Sequence, residues 1–183
     1  MFFSLITSGC QSSQNKAALE QYRREGWDLD HFITTASSEF SQPKTDYQLS
    51  AEIQLQKAEN GINELSYHVV MQYNKINLKG VTLSFSLHPD MADKLGIYSM
   101  NAVVASSIPY LPNGGTKVIV SKDSLSIRKP FGLAVATVDN HFLAIYKLLY
   151  VKVTYSIQNE QKIDYYKLEV TPSTELSSYL KSL

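Results

Sequence analysis

The sequence predicts a mainly β protein, an antiparallel sandwich or partly open barrel with one N-terminal amphipathic helix. Several runs of residues alternate apolar and polar side chains with the two-residue period of a half-buried strand. Turn-forming residues separate these runs, and one earlier segment has the 3.6-residue period of a helix instead. Many short strands with polar outer faces are typical of antiparallel sheets that enclose a core.

Length and composition limit the number of domains and the class of partner that the chain can have. The chain has 183 residues, enough for one domain that buries its own core without metal or disulfide support. It holds 17 basic and 17 acidic residues, so its formal net charge is zero. This balance gives no electrostatic footprint for a polyanion, and nucleic acid is therefore not an expected partner.

Residues 17–40 are the long helix candidate. Apolar residues recur at steps that place them on one helical face, namely Ala18, Tyr22, Leu29, Phe32, Ile33, Ala36 and Phe40. Charged residues such as Glu25, Asp28 and Asp30 fall mainly elsewhere and predict a solvated side. Gly26 weakens the expected continuity of the helix. Such a helix either covers the sheet or docks onto a partner.

Residues 45–171 are expected to form the antiparallel β domain. Alternation is clearest over 47–56, 64–73 and 81–88, and Gly61 provides a turn between the first two runs. These runs predict a three-stranded meander. Further strand-like runs follow, interrupted by a strong turn signal at residues 111–115.

The last third of the chain continues this pattern. Residues 131–153 are the most apolar stretch and are interpreted as buried strands, since charged and polar residues at 139–141 and Lys147 do not suit a membrane span. Residues 172–183 follow the last predicted strand and are expected to form a tail or a short helix.

The first residues indicate where in the cell the protein is located. The sequence LITSGC ends at Cys10, the only cysteine, and a polar run follows it. This pattern resembles the end of a bacterial lipoprotein signal peptide, where small residues precede a cysteine that is cleaved at its amino side and lipidated. The resemblance implies that residues 1–16 are signal and tether and that Cys10 anchors the protein to a membrane. Gln11, in place of an Asp, implies the outer membrane of the bacterial envelope, with the domain facing the periplasm. The alternative is an unmodified free thiol at a frayed terminus.

No motif in the sequence carries catalytic chemistry. The histidines are scattered, although His68 and His88 are expected to approach each other on adjacent strands. Residues 28–31 are the best metal-like cluster, yet successive positions on a helix point in different directions. The serines lie outside any Gly-x-Ser-x-Gly elbow. We therefore expect neither enzymatic activity nor a metal or other cofactor.

Two functions remain as expectations. The first is a non-enzymatic, membrane-tethered binding or assembly module of the envelope, such as an accessory subunit of a secretion, pilus or transfer machine, or an immunity protein. The second is a carrier that encloses an apolar ligand or lipid within a curved sheet, which a pocket of a few hundred Å³ would indicate. The envelope protein partner is expected to contact exposed aromatic residues, because interface hot spots favour Tyr and Trp. These candidate contacts are Tyr22, Trp27, Tyr98, Tyr110 and Tyr165.

Overall fold

The computed structural model describes residues 8–36, 39–42, 44, 46–73, 78–97, 101–106 and 116–183, with the backbone alone over residues 8–15. Eight strands and four α-helices follow one another in these ranges. The strands are β1 (Gln48–Lys57), β2 (Asn63–Gln72), β3 (Lys79–Leu87), β4 (Ala102–Ala105), β5 (Lys117–Val120), β6 (Ser124–Gly132), β7 (Leu148–Ile157) and β8 (Glu160–Glu169). The helices are α1 (Ser8–Thr35), α2 (Met91–Leu95), α3 (Asn140–Ile145) and α4 (Thr174–Lys181).

The strands form two antiparallel four-stranded sheets, which confirms the predicted sandwich; the sheets do not close into a barrel. The first sheet has the order β1-β2-β6-β5 and the second β4-β3-β7-β8. The β1–β2 hairpin lies in the first sheet, but β3 crosses to the second and pairs with β4 and β7. The predicted three-stranded meander is therefore wrong. Alternation shows that a strand has one buried face, but it does not show which sheet the strand joins.

Side chains from both inner faces fill the space between the sheets. In β2 the buried positions Leu65, Tyr67, Val69 and Met71 alternate as the sequence predicted. They meet β7 residues such as Val151 and Val153 in one continuous apolar core. This burial is the main stabilising term for a sandwich of this size.

Helix α1 covers the outer face of the second sheet. Leu29 and Ile33 pack with Tyr150 of β7, and Phe40 and Tyr165 complete this small cluster. The helix begins at Ser8, inside the segment expected to serve as signal and tether, and it continues through Gly26. The predicted buried stripe of the helix is thus the surface that attaches it to the sheet.

Shorter helices close the ends of the sandwich. Residues 131–153, interpreted from the sequence as buried strands, are strand at their two ends, in β6 and β7, but form α3 between them. Asp139 caps this helix by accepting a hydrogen bond from the Phe142 amide at 2.8 Å, as Asp commonly does at an N-cap. The C-terminal segment forms α4, which lies against β1 and buries Leu176 and Leu180 in the core.

Candidate functional site

A cleft opens between an edge of each sheet. β1 is the outer strand of the first sheet and β8 is the outer strand of the second. Pro172, in the segment that follows β8, forms a parallel bridge with Ile53 of β1, so the chain beyond β8 reaches the β1 edge. The cleft between β1 and β8 has a volume of about 580 Å³. Its lining residues are Lys44, Tyr47, Gln48, Leu49, Ser50, Gln72, Tyr166 and Leu168.

Backbone groups of β1 face this cleft. The Ile53 carbonyl accepts a hydrogen bond from the Ser173 amide at 2.9 Å, so it points away from β2. In an antiparallel ladder every second residue points the same way, and the β1–β2 register has no bulge. The N–H and C=O groups of Leu49 and Ala51 therefore also point away from β2. Among the described residues, no backbone group pairs with them.

A buried carboxylate stands at the end of the cleft opposite the bridge. Asp164 is 5% exposed, and its Oδ2 accepts hydrogen bonds from the hydroxyls of Tyr47 at 2.7 Å and Tyr155 at 3.0 Å. The Tyr166 hydroxyl lies 2.5 Å from that of Tyr47. Because Tyr47 gives its single proton to Asp164, Tyr166 is the donor in this contact. Lys44 Nζ lies 3.4 Å from Asp164 Oδ1 and balances its charge.

The tyrosines of this cluster stay protonated at neutral pH. Burial raises the pKa of Tyr47 far above its ordinary value, and its bonds to Tyr166 and Asp164 raise it further. Burial and the nearby Asp164 charge likewise raise the pKa of Tyr155. Burial, with the Asp164 charge, raises the pKa of Tyr166 to about 12. These hydroxyls are therefore hydrogen-bond donors at neutral pH.

The cleft combines three kinds of recognition group. The Tyr166 hydroxyl donates to Tyr47 and keeps its lone pairs for a ligand donor. Leu49 and Leu168 supply apolar surface, and Leu49 also presents its backbone edge. Edge groups beside apolar and polar side chains are the features with which sheets bind extended peptides.

The residues predicted from the sequence as partner contacts or anchor do not lie together in the structure. Trp27 is 65% exposed on the outer side of α1, and Tyr22 is half-buried on the same helix. Tyr165 stacks on Phe32, with ring centroids 3.7 Å apart, and so helps to hold the helix on the sheet. Tyr98, Tyr110 and the Cys10 side chain lie outside the described residues, as does the turn signal at 111–115.

The expected approach of His68 and His88 is wrong, because the residues belong to different sheets. His68 lies on β2 beside Glu52, at 3.0 Å, and near Arg128 of β6. His88 follows β3, where burial lowers its pKa despite the nearby Asp90 carboxylate. A second histidine, His141 of α3, contacts Asp90 at 2.9 Å. These contacts join neighbouring strands or helices.

Sequence reasoning missed the cleft residues, although one signal was present. Positions 164, 166 and 168 share one face of β8 and carry Asp, Tyr and Leu, and Val170 follows the strand. An acidic residue at the start of an apolar face indicates a buried charge that needs partners. The partners themselves, Lys44 and Tyr47, are more than 110 residues away along the chain, so only the fold brings them together.

No group of three metal-binding side chains occurs within the described residues. None of the helices in that part of the chain is long and apolar enough to cross a bilayer.

Comparison with known protein families found no family that matches the chain. Comparison with curated proteins likewise found no match.

Proposed function

We propose that the protein is a lipid-anchored, non-enzymatic binding or assembly module of the bacterial envelope, and that the cleft between β1 and β8 is its binding site. The observation that supports this most is the β1 edge at Leu49 and Ala51, whose backbone groups pair with no backbone group of the described residues, and Leu49 lines the open cleft. Cys10, with its lipoprotein-like surroundings, supplies the anchor, and the outer membrane is the address that Gln11 favours.

The ligand that fits this cleft best is an extended segment of an envelope protein. A segment of two or three residues spans roughly 7–10 Å, enough to pair with the Leu49 and Ala51 backbone. Its side chains would meet Leu168 and the Tyr166 hydroxyl, which lie on one face of β8. The Pro172–Ser173 segment already lies along the same edge at Ile53, which supports an edge that accepts extended chain.

The arrangement favours this module over a carrier. A carrier that encloses an apolar ligand needs space between its sheets, whereas side chains of the core occupy that region. The cleft lies at the rim of the sandwich, and its walls are a mixture of polar and apolar groups.

A photo-crosslinking residue at Gln48, in the lipidated protein produced in its bacterial host, tests the site. We expect a specific adduct with an envelope protein, identified by mass spectrometry. Leu168→Arg and Ser50→Trp fill the cleft from opposite sides and should each abolish the adduct. The matched control is Ile163→Arg, on the exposed face of the same strand, which should retain it.

Thermal unfolding of each variant shows whether its fold is intact. An adduct that persists in both folded cleft variants, or the absence of any adduct from Gln48, would contradict the assignment of the cleft.

A further inference from the structure

Helix α1 separates its charges between two sides. Glu25, Asp28 and Asp30 turn toward the second sheet, where Lys152 contacts Glu25 at 2.7 Å and Asp28 at 3.2 Å. Ser86 donates a hydrogen bond to Asp30 at 2.8 Å. The acidic residues of the helix are thus largely used in holding it on the domain.

The opposite side of α1 is basic. Lys16, Arg23 and Arg24 are exposed there, with Glu20 as the acidic residue among them. These four positions lie within about 100° of one another on a helix of 3.6 residues per turn, so they form one stripe. The chain as a whole has no net charge, which makes this local excess of positive charge a property of the helix face.

Trp27 lies on the same stripe. Its side chain is 65% exposed and stacks on His31, with ring centroids 5.2 Å apart and planes 2° from parallel. An exposed tryptophan beside basic residues is typical of helices that lie in the headgroup region of a membrane, where an indole places its apolar body and its polar N–H at one boundary.

We propose that this exposed face of α1, formed by Lys16, Arg23, Arg24 and Trp27, binds the anionic headgroups of a lipid bilayer. The inference rests on the envelope address of the proposed function, because an acyl chain on Cys10 brings the start of the same helix to the membrane. Trp27 lies roughly 26 Å further along the axis at 1.5 Å per residue, so the stripe continues away from the anchor. A basic surface then adds to the attachment that acyl chains provide.

Vesicle binding by the full-length Cys10→Ser protein tests this face without any acyl chain. The probes are vesicles of phosphatidylglycerol mixed with phosphatidylcholine, compared with phosphatidylcholine alone. Trp27 is the only tryptophan of the chain, so its fluorescence reports on this face alone. We expect a blue shift and co-sedimentation with the anionic vesicles, both reversed by high salt.

Charge reversal identifies the surface. Arg23→Glu with Arg24→Glu should weaken vesicle binding by at least about 30-fold, since the loss of two basic side chains at an anionic surface alone corresponds to roughly 2 kcal/mol. Lys122→Glu with Lys162→Glu changes the net charge equally at exposed positions outside α1 and should leave binding unchanged. Trp27→Ala should weaken co-sedimentation as well.

Three results would overturn the proposal: no blue shift with anionic vesicles, no effect of the arginine reversal, or equal weakening by the lysine control. All three are independent of the proposed function, because lipidation is read from the mass of the unmutated protein and the cleft from its crosslinks.

Discussion

Lys152 shows how one buried charge fixes an element of the fold. It lies on the outer face of β7, is 2% exposed, and contacts Glu25 of α1 at 2.7 Å. Burial alone lowers the pKa of Lys152, but Glu25, together with Tyr165 and Asp28, outweighs this effect and raises the pKa above its ordinary value. The ammonium group therefore stays charged beneath the helix.

Lys152→Met should lower the free energy of unfolding by about 3–5 kcal/mol, because it leaves the Glu25 carboxylate buried without a partner. The double variant Glu25→Leu with Lys152→Met should recover most of this loss, since similar apolar side chains replace both charges. Urea unfolding of the unmutated protein, Lys152→Met, Glu25→Leu and the double variant measures the coupling. Lys162→Met, at an exposed position, is the control and should change stability little. If the loss of unfolding free energy in the double variant equals the sum of the losses in the two single variants, Lys152 and Glu25 do not act as a pair.

At the same scale, the sequence predicts apolar positions better than charged ones. The stripe that includes Ala18, Leu29 and Ile33 is buried as the helical period requires. Glu25 and Asp28 were expected on the solvated side of α1, but they contact Lys152, which is more than 120 residues away in the chain. Helical period identifies a face, whereas a charge pair depends on which strand that face covers.

Helix α1 contains a glycine because of its packing. A Cβ at Gly26 would lie 2.9 Å from the side-chain amide of Asn101, closer than a side chain normally approaches. That amide donates a hydrogen bond to Asp30 at 2.8 Å. Gly26 is thus explained by a close approach between α1 and the segment that precedes β4, and the helix is continuous despite it.

Gly26→Ala should destabilise the protein, even though alanine ordinarily stabilises a helix interior by about 1 kcal/mol relative to glycine. In an Asn101→Ala background the clash is absent, and the same change should stabilise by about that amount. Chemical unfolding gives the change in the free energy of unfolding caused by Gly26→Ala, once in the protein with Asn101 and once in the Asn101→Ala variant. A stabilising Gly26→Ala in the protein that retains Asn101 would show that the amide moves aside without cost.

Elements differ in how far the sequence predicts them. Alternation gives the paired strands β1 and β2 with their inward residues, and the polar residues after Ile157 favour the tight turn of the β7–β8 hairpin. Alternation does not assign β3 to a sheet. The short helix α3 was missed because its apolar residues suit a buried strand equally well, and the capping Asp139 was the signal that favoured a helix.

As a whole, the molecule is a helix covering one face of a two-sheet sandwich, with the cleft at the rim between the sheets. The sandwich was predictable because burial of alternating faces leaves few other arrangements. The cleft was not, because it depends on how the fold places β1, the outer strand of one sheet, beside β8, the outer strand of the other. The proposed anchor and the basic stripe both belong to α1, and the proposed binding site lies away from that helix on the two sheet edges.

Lipidation of Cys10 is the claim on which the envelope function depends most directly. Intact mass and membrane fractionation of the natively expressed protein, with and without Cys10→Ala, measure it in one experiment. We predict a mature chain that begins at Cys10 and carries acyl chains, found with the membrane and released to the soluble fraction by the substitution. An unmodified, full-length protein in the soluble fraction would contradict the envelope address and the function proposed from it.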